Sequence, residues 1–288
     1  MKTFSSRLLT GLPFLVPALL ALASCSEDAS PAAGAPPEGA SVEVSSVVLD
    51  PVNKKQVLFV VASPTTHPTL QYPIGFWASE LTHAYVALAE AGHDVVIASP
   101  AGGEVRVDGY SDPRDPSGYS AFDVTSLGFL SSAPTAALLA NTKPLAQIDA
   151  GAFDAIYVAG GQAPMFSFRE NDDLQRLLRE FYEAGKPTTL VCHGVSALLD
   201  VTLSDGSYLA AGKRITGFAN SEEDYTDAVM KAKVMPFHIE DVARERGANF
   251  IAAPAFAPHA ERDGNLITGQ QQHSAAVAAR FLIDALAP

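Results

Sequence analysis

One cysteine lies in a context that favours nucleophilic chemistry. Cys192 follows the β-branched run 188–191 and precedes a helix-like run, so it lies where a predicted strand meets a predicted helix. A sharp turn of this kind, a nucleophile elbow, exposes a side chain above a sheet. The first turn of a helix favours thiolate over thiol, through the helix dipole and free backbone N–H groups. A buried structural cysteine would show a similar pattern, and both interpretations stay open at this point.

The residues after Cys192 supply groups that an attacking thiolate needs. The backbone N–H groups of His193 and Gly194 could stabilise a developing oxyanion, and Gly194 allows close passage of the backbone. The histidines show no His-x-x-x-His spacing, and no Cys-x-x-Cys pair is present. Gly160 and Gly161 lack the following Gly-Lys-Ser/Thr of a phosphate loop. The sequence therefore predicts a thiol-based site with no metal and no cofactor.

The elements that would position this site alternate between strand and helix. Apolar runs predict strands, and apolar residues at helical spacing predict helices between them. Such alternation predicts a single α/β domain with a mostly parallel, flavodoxin-like sheet covered by helices on both faces. The ligand site should lie beyond the carboxyl ends of the strands. Three segments converge there: the residues after Ala62, the Gly160-Gly161 turn and Cys192.

The element predictions can be given by range. Strands are predicted at 56–62, 94–99, 154–159 and 188–191, and helices at 81–89 and 174–181, the latter capped by Asn171. The carboxyl-terminal part predicts a hairpin at 208–218, a helix at 236–246, short strands near Phe250 and Leu266, and a closing helix at 274–286. Segment 100–144 is expected to contain short helices, one at 121–130, and to cover the site.

The amino terminus predicts an export signal. Positive charge at Lys2 and Arg7 precedes an apolar stretch that is too short and too interrupted for a membrane span. The stretch ends in Leu-Ala-Ser before Cys25, which resembles a lipobox. We expect residues 1–24 to be a lipoprotein signal peptide, residues 25–50 a lipidated Cys25 with a disordered tether, and residues 51–288 the folded domain. We expect the mature protein to be membrane-anchored on the periplasmic face, at the outer membrane if the cell has two membranes; an ordinary secretory signal is the alternative.

Composition narrows the possible partners. The formal net charge is −13, and no Lys/Arg cluster is present, so a nucleic-acid role is not expected. The chain has two cysteines. If a lipid modifies Cys25, then Cys192 has no partner for an intramolecular disulfide, and it is either a small buried apolar residue or a working thiol.

Several sequence blocks together resemble the DJ-1/PfpI superfamily, the class I glutamine-amidotransferase-like fold, and most closely its heat-shock-chaperone and glyoxalase III branch. The resemblance begins with Val-Cys-His-Gly at 191–194, after a buried strand. It extends over almost the whole domain in order and spacing. The further blocks are GFWASE at 75–80, ASPAGG at 98–103, AGGQAPMF at 159–166, TGFANSEE at 216–223 and DGNLITGQ at 263–270.

The resemblance assigns roles to individual residues. It implies that Cys192 is the nucleophile, that Glu80 supplies a carboxyl group hydrogen-bonded to the thiol, and that His193 is the base. Glu222 is our expected third member, orienting His193, with Glu223 as its competitor.

Two residues at the double glycine complete the resemblance. Gly161 matches the glycine whose N–H faces the substrate oxygen. Gln162, which we also expect to contact substrate, stands near where this branch usually has a histidine, and the departure bears on substrate choice.

Three functions follow as hypotheses. The first is a cofactor-free, glutathione-independent glyoxalase, formally a hydro-lyase, that converts methylglyoxal to lactate through a hemithioacetal on Cys192. The second is a cysteine hydrolase of amide, peptide or nitrile-like bonds, which the presence of Gln162 keeps open. The third is a stress holdase or thiol redox sensor. The family commonly forms homodimers, and we expect one here.

Overall fold

Short apolar and β-branched runs form the strands of the domain. The computed structural model describes residues 54–287. The runs at the centre of the sheet are apolar along their whole length, as expected of parallel strands covered on both faces. The strands are β1 Gln56–Val60, β2 Thr65–Thr66, β3 Pro73–Ile74, β4 Asp94–Ser99, β5 Lys143–Pro144, β6 Ala155–Val158, β7 Thr188–Val191, β8 Arg214–Ile215, β9 Asn249–Phe250, β10 Ala260–Asp263 and β11 Leu266–Gly269.

Helices connect these strands and cover the sheet. Short 3₁₀ turns add to them, and the one at Cys192–Leu198 is the most important for the site. The α-helices are α1 Ala78–Glu90, α2 Val124–Ser131, α3 Ala133–Ala140, α4 Pro164–Ser167, α5 Asp172–Glu183, α6 Asn220–Met230, α7 Ile239–Glu245 and α8 Ala275–Leu286.

The central sheet has seven strands in the order β10-β11-β7-β6-β1-β4-β5. Its neighbouring strands run parallel except for the pair β10–β11 at one edge. Strand β1 lies between β4 and β6, so its carboxyl end and that of β6 open at the same side as the end of β7. The predicted single α/β domain with a mostly parallel, helix-flanked sheet is confirmed.

Helix α5 shows how local sequence sets an element. Its buried residues recur at helical spacing, and the Asn171 side chain caps it by accepting a hydrogen bond from the Leu174 N–H at 2.8 Å. Both the stripe and the cap agree with the prediction. The buried stripe consists of Leu174, Leu177, Leu178 and Phe181.

The segment between β4 and β5 contains helices α2 and α3, and the predicted helix at 121–130 corresponds to α2. Asp123 caps α2 by accepting from the Ser126 N–H at 3.0 Å. Tyr110 and Tyr119 from the same segment line the cavity above the sheet, so the segment does help to cover that edge.

Two carboxyl-terminal predictions need correction. The predicted hairpin at 208–218 does not form; β8 instead pairs in parallel with β9, which comes much later in the chain. Helix α6 was not predicted, because its buried first turn carries Glu222 and Glu223 where an apolar stripe would be expected. A pattern based on hydrophobicity does not detect a helix whose inner face is acidic.

The predicted signal peptide, the lipid site Cys25 and the tether lie outside the described residues. Within residues 54–287, no helix combines the length and the apolar character needed to cross a bilayer.

Candidate active site

Cys192 lies at the junction of β7 and the 3₁₀ turn Cys192–Leu198. Its φ of 58° falls in the left-handed region, which non-glycine residues rarely adopt. Such a conformation costs about 1–3 kcal/mol and is common at functional sites. This is the local geometry of a nucleophile elbow, although the turn that follows is 3₁₀ where an α-helix was expected.

The turns that follow β6 and β7 lie in backbone contact, and glycines make this possible. A Cβ on Gly160 would lie 2.7 Å from the His193 nitrogen, whereas Gly161, with a φ of +106°, packs against Trp77 before α1. A Cβ on Gly194 would lie 2.8 Å from the Val158 carbonyl oxygen. Any side chain would separate these segments, so the glycines hold the cysteine turn against the neighbouring turn.

Glu80 lies in the first turn of α1 and is fully buried. Its Oε2 accepts a hydrogen bond from the Gly160 N–H at 2.7 Å. Its Oε1 is buried and has no conventional hydrogen-bond partner among the described residues. The carboxyl group lies close enough to the Cys192 thiol for each to affect the other's pKa. Because Oε2 is engaged by an N–H group, a proton on this carboxyl belongs on Oε1, where it could be donated to sulfur.

Burial raises the pKa of Glu80 to about 8, although its hydrogen bonds to Cys192 and Gly160 act in the opposite direction. At neutral pH the carboxyl group is therefore mainly protonated and uncharged. Burial is also the largest cause that raises the pKa of the Cys192 thiol. The expectation of a lowered thiol pKa is thus wrong, because the side chain is only 3% exposed and acidic groups surround it. A resting thiol must instead be activated by a neighbouring base.

His193 provides a base at hydrogen-bonding range of the thiol. Its Nδ1 lies 3.7 Å from the Cys192 sulfur, and its Nε2 lies 3.1 Å from Oε1 of Glu223. A carboxylate at Nε2 favours the tautomer with the proton on Nε2, which leaves the Nδ1 lone pair facing the thiol. Although Cys192 and His193 are adjacent in sequence, the strained turn brings the two side chains together. Cys192, His193 and Glu223 form a continuous chain.

Glu222 has a different role from the expected one. Its Oε2 accepts from the Ala219 N–H at 2.9 Å, and its Oε1 accepts from the Phe256 N–H at 2.8 Å and from the Gln270 amide at 2.9 Å. These bonds cap α6 and attach it to the carboxyl-terminal loops. The prediction that Glu222 orients His193 is therefore wrong, and its competitor Glu223 holds that position. Adjacent residues at a helix start point in different directions, which spacing alone does not resolve.

Gln162 lies at the cavity wall and is held by two neighbours. Its side-chain Oε1 accepts from the Tyr72 hydroxyl at 2.7 Å, and its backbone N–H donates to Asp108 at 2.7 Å. The other oxygen of Asp108 accepts from the Gly75 N–H at 2.8 Å. Asp108 thereby ties the segment before α1 to the double-glycine turn. With Oε1 occupied by Tyr72, Gln162 presents its NH₂ group as a donor.

Asp108 was not identified from the sequence. It is 1% exposed, and burial raises its pKa to about 6. The only available signal was a lone Asp-Gly pair in a segment without periodicity, which reads as an ordinary turn. Its importance comes from hydrogen bonds to distant residues that no local pattern encodes.

A cavity of about 210 Å³ opens above Cys192. The predicted residues Gly161, Gln162, Cys192 and His193 line it, whereas Gly194 does not and serves as a close-packing position. Its other walls are mainly aromatic and aliphatic. Within residues 54–287 no group of three metal-ligating side chains is arranged to hold an ion.

This geometry accords with the comparison to known families. The model of the DJ-1/PfpI family matches residues 73–284, and the chain belongs to that family. Among solved structures, the Francisella tularensis rapid encystment protein of 24 kDa is 29% identical, with a TM-score of 0.74 over 81% of this chain and 100% of that one. Glyoxalase III from Candida albicans is 26% identical, with a TM-score of 0.69 over 80% of this chain and 97% of that one.

Two yeast proteins are similar in sequence. The glutathione-independent glyoxalase HSP31 of Saccharomyces cerevisiae is 32% identical over 152 residues, which are 51% of this chain and 64% of that protein. The probable glutathione-independent glyoxalase hsp3103 of Schizosaccharomyces pombe is 32% identical over 154 residues, 52% of this chain and 59% of that protein. The matched segments therefore span less than two thirds of either relative.

The raised pKa of Glu80 predicts a specific dependence of stability on pH. The native state keeps a proton on Glu80 up to about pH 8, whereas an unfolded chain releases it near the ordinary value of 4.5. This carboxyl group therefore lowers stability progressively as pH rises through that window, and Glu80→Gln removes the effect. The free energy of unfolding of Glu80→Gln relative to the parent should rise by on the order of 3 kcal/mol between pH 5 and pH 8.

Urea unfolding of both proteins at several pH values measures this difference. Glu90→Gln, the same chemical change at the exposed end of the same helix, is the matched control. A stability difference between Glu80→Gln and the parent that is constant from pH 5 to pH 8 would contradict a protonated Glu80.

Proposed function

We propose that this protein is a glutathione-independent glyoxalase that adds water to methylglyoxal and releases lactate, with no cofactor. The observation that carries the proposal is the chain from Cys192 through His193 to Glu223, with the protonated Glu80 beside the same thiol. Membership of the DJ-1/PfpI family and the similarity to the two yeast glyoxalases support it.

In the first step the thiol becomes a nucleophile. His193 Nδ1 takes the thiol proton, and the sulfur forms a bond to the aldehyde carbon of methylglyoxal. The aldehyde oxygen gains the negative charge and is then protonated, which gives a hemithioacetal. Glu80 can supply that proton from Oε1, and the Gly161 N–H at the cavity wall can donate to the oxygen.

The second step moves hydrogen between two carbons without any external oxidant. The ionised Glu80 removes the proton from the former aldehyde carbon. The His193 imidazolium then protonates the adjacent carbon of the enediolate, and the hydroxyl proton moves from the first oxygen to the second, so one carbon is oxidised and the other is reduced. The product is a lactoyl thioester on Cys192. Water then attacks the thioester carbonyl, the carbon–sulfur bond breaks, and lactate and the thiol are released.

Gln162 fits this scheme as a hydrogen-bond donor. Its Oε1 is occupied by the Tyr72 hydroxyl, and its NH₂ group can hold a substrate oxygen. An amide does not accept a proton in catalysis as a histidine does. The proton transfers therefore fall to His193 and Glu80.

A cysteine hydrolase is the second candidate, because Cys192, His193 and Glu223 have the order of contacts found in nucleophile–base–acid triads. An activated amide would then acylate Cys192, and water would release the acid. The third hypothesis, a redox sensor or holdase, has less support for its sensor form. That form needs an accessible thiol of low pKa, whereas Cys192 is buried and its pKa is raised.

Loss of the thiol should abolish turnover without unfolding the protein. Cys192→Ala removes the nucleophile and leaves a side chain that fits the same buried space, so lactate formation from methylglyoxal should fall to the uncatalysed rate. Lactate is measured without glutathione, and circular dichroism checks the fold. Cys25→Ala, which removes the other cysteine, is the matched control and should keep parental activity. Lactate production by folded Cys192→Ala at the parental rate would contradict the proposal.

The two adjacent glutamates should separate catalysis from stability. Glu223→Gln removes the carboxylate that fixes the His193 tautomer, so kcat should fall roughly 100-fold with little change in melting temperature. Glu222→Gln places an NH₂ group against donors that α6 and the loops direct at it, so the free energy of unfolding should fall by about 1–3 kcal/mol. The folded fraction should keep most of its kcat.

Steady-state kinetics and thermal unfolding of the two variants provide the measurement. If Glu222→Gln reduced kcat as strongly as Glu223→Gln, the assignment of Glu223 as the partner of His193 would be overturned.

A further inference from the structure

The lining of the cavity above Cys192 has two chemically different parts. The reacting part contains the thiol, the imidazole, the Gly161 backbone and the Gln162 amide. These groups can recognise the two adjacent oxygens of a 2-oxoaldehyde. The larger part is apolar, and one of its members, Phe218, lies against the His193 ring with 4.3 Å between ring centroids. The other apolar residues are chiefly Val229, Met230, Val234, Met235 and Phe256.

Helix α6 provides much of the apolar lining. Tyr225, Val229 and Met230 lie on the face of α6 that lines the cavity. Tyr225 is 57% exposed and Val229 is 62% exposed. A helix that presents large apolar residues at the rim of a cavity offers area that a ligand can remove from water. The buried side of the same helix carries Glu223, so the catalytic chain and this apolar wall belong to one element.

The size of the cavity exceeds what methylglyoxal uses. A cavity needs a volume of roughly 10–15 Å³ to hold one water molecule. The volume of this cavity is about 210 Å³. Methylglyoxal has five non-hydrogen atoms, and its methyl group would contact only a small part of the apolar wall. Walls left uncontacted contribute nothing to binding.

Charge also limits the ligand. Among residues 54–287, no Asp, Glu, Lys or Arg side chain lines this cavity, so these residues offer no partner for a charged substituent there. Burying an unpaired charge there would be costly, whereas burying apolar area is favourable.

From these features, and resting on the proposed function, we infer that the preferred substrates are 2-oxoaldehydes with an uncharged apolar substituent of several carbons. The reaction is the one proposed for methylglyoxal: water is added, the aldehyde carbon becomes a carboxylate, and the ketone carbon becomes a hydroxyl-bearing carbon. The apolar substituent lies against α6 and takes no part in the chemistry.

A homologous series tests this inference. Methylglyoxal, 2-oxobutanal, 2-oxopentanal and 2-oxohexanal differ only in methylene groups that are remote from the reacting carbons. Each buried methylene should lower KM about three- to fourfold, so the series should span roughly 30-fold or more in kcat/KM. An equal kcat/KM across the series, or a decrease with length, would overturn the inference.

Two matched variants place the effect in the cavity. Val229→Asp puts a charge at the apolar wall, whereas Val124→Asp makes the same change at a residue that is 75% exposed and does not line this cavity. Val229→Asp should reduce the ratio of kcat/KM for 2-oxohexanal to that for methylglyoxal at least tenfold. Val124→Asp should leave the ratio unchanged. Equal ratios in the two variants would contradict the placement.

A binding measurement separates this inference from the proposed function. Alkylation of Cys192 by iodoacetamide is followed by mass spectrometry in the presence of acetone or 2-hexanone, neither of which is a 2-oxoaldehyde. The inference is supported if 2-hexanone slows the alkylation of Cys192 more than acetone does and if this difference is lost in Val229→Asp. That result would support the apolar site even if no lactate forms from methylglyoxal. Equal protection by both ketones overturns it even if methylglyoxal is converted.

Discussion

The arrangement of the site depends on one buried carboxyl group. Glu80 accepts a hydrogen bond from the Gly160 N–H and lies against the Cys192 thiol, so it joins α1, the turn after β6 and the turn after β7. The Trp77 N–H completes the connection by donating to the Gly160 carbonyl at 3.1 Å. Burying an unpaired carboxylate in this position would cost much more free energy than burying a neutral, hydrogen-bonded carboxylic acid. Burial therefore keeps Glu80 protonated, and the same proton is available to sulfur.

This constraint explains why a base is needed at a site rich in acids. Burial and acidic neighbours disfavour a thiolate before substrate binds, so the thiol proton has to be transferred when substrate is present. The strained conformation of Cys192 brings His193 into reach, and Glu223 fixes its tautomer. Helix α6 links this chemistry to recognition, because it carries Glu223 on one side and the apolar cavity wall on another.

Much of the framework could be predicted from the sequence because it is locally encoded. The apolar runs of the central strands, the stripe of α5 with its Asn171 cap, and the position of Cys192 at a strand end each occupy a few consecutive residues. The rest depends on contacts between distant segments. The choice between Glu222 and Glu223 is set by which side chain faces the cysteine turn, and Asp108 gains its role only through Gly75 and Gln162. The acidic inner face of α6 concealed that helix from hydrophobic periodicity.

The protonation state of Glu80 can be tested most directly by infrared difference spectroscopy between the parent and Glu80→Gln. The account predicts that the parent at pH 7 has the C=O stretch of a protonated carboxylic acid, that Glu80→Gln lacks it, and that Glu90→Gln retains it. The band should disappear as pH rises through about 8. A difference spectrum at pH 7 that shows only the loss of a carboxylate would contradict the account, because an ionised Glu80 has no proton to donate to sulfur or substrate.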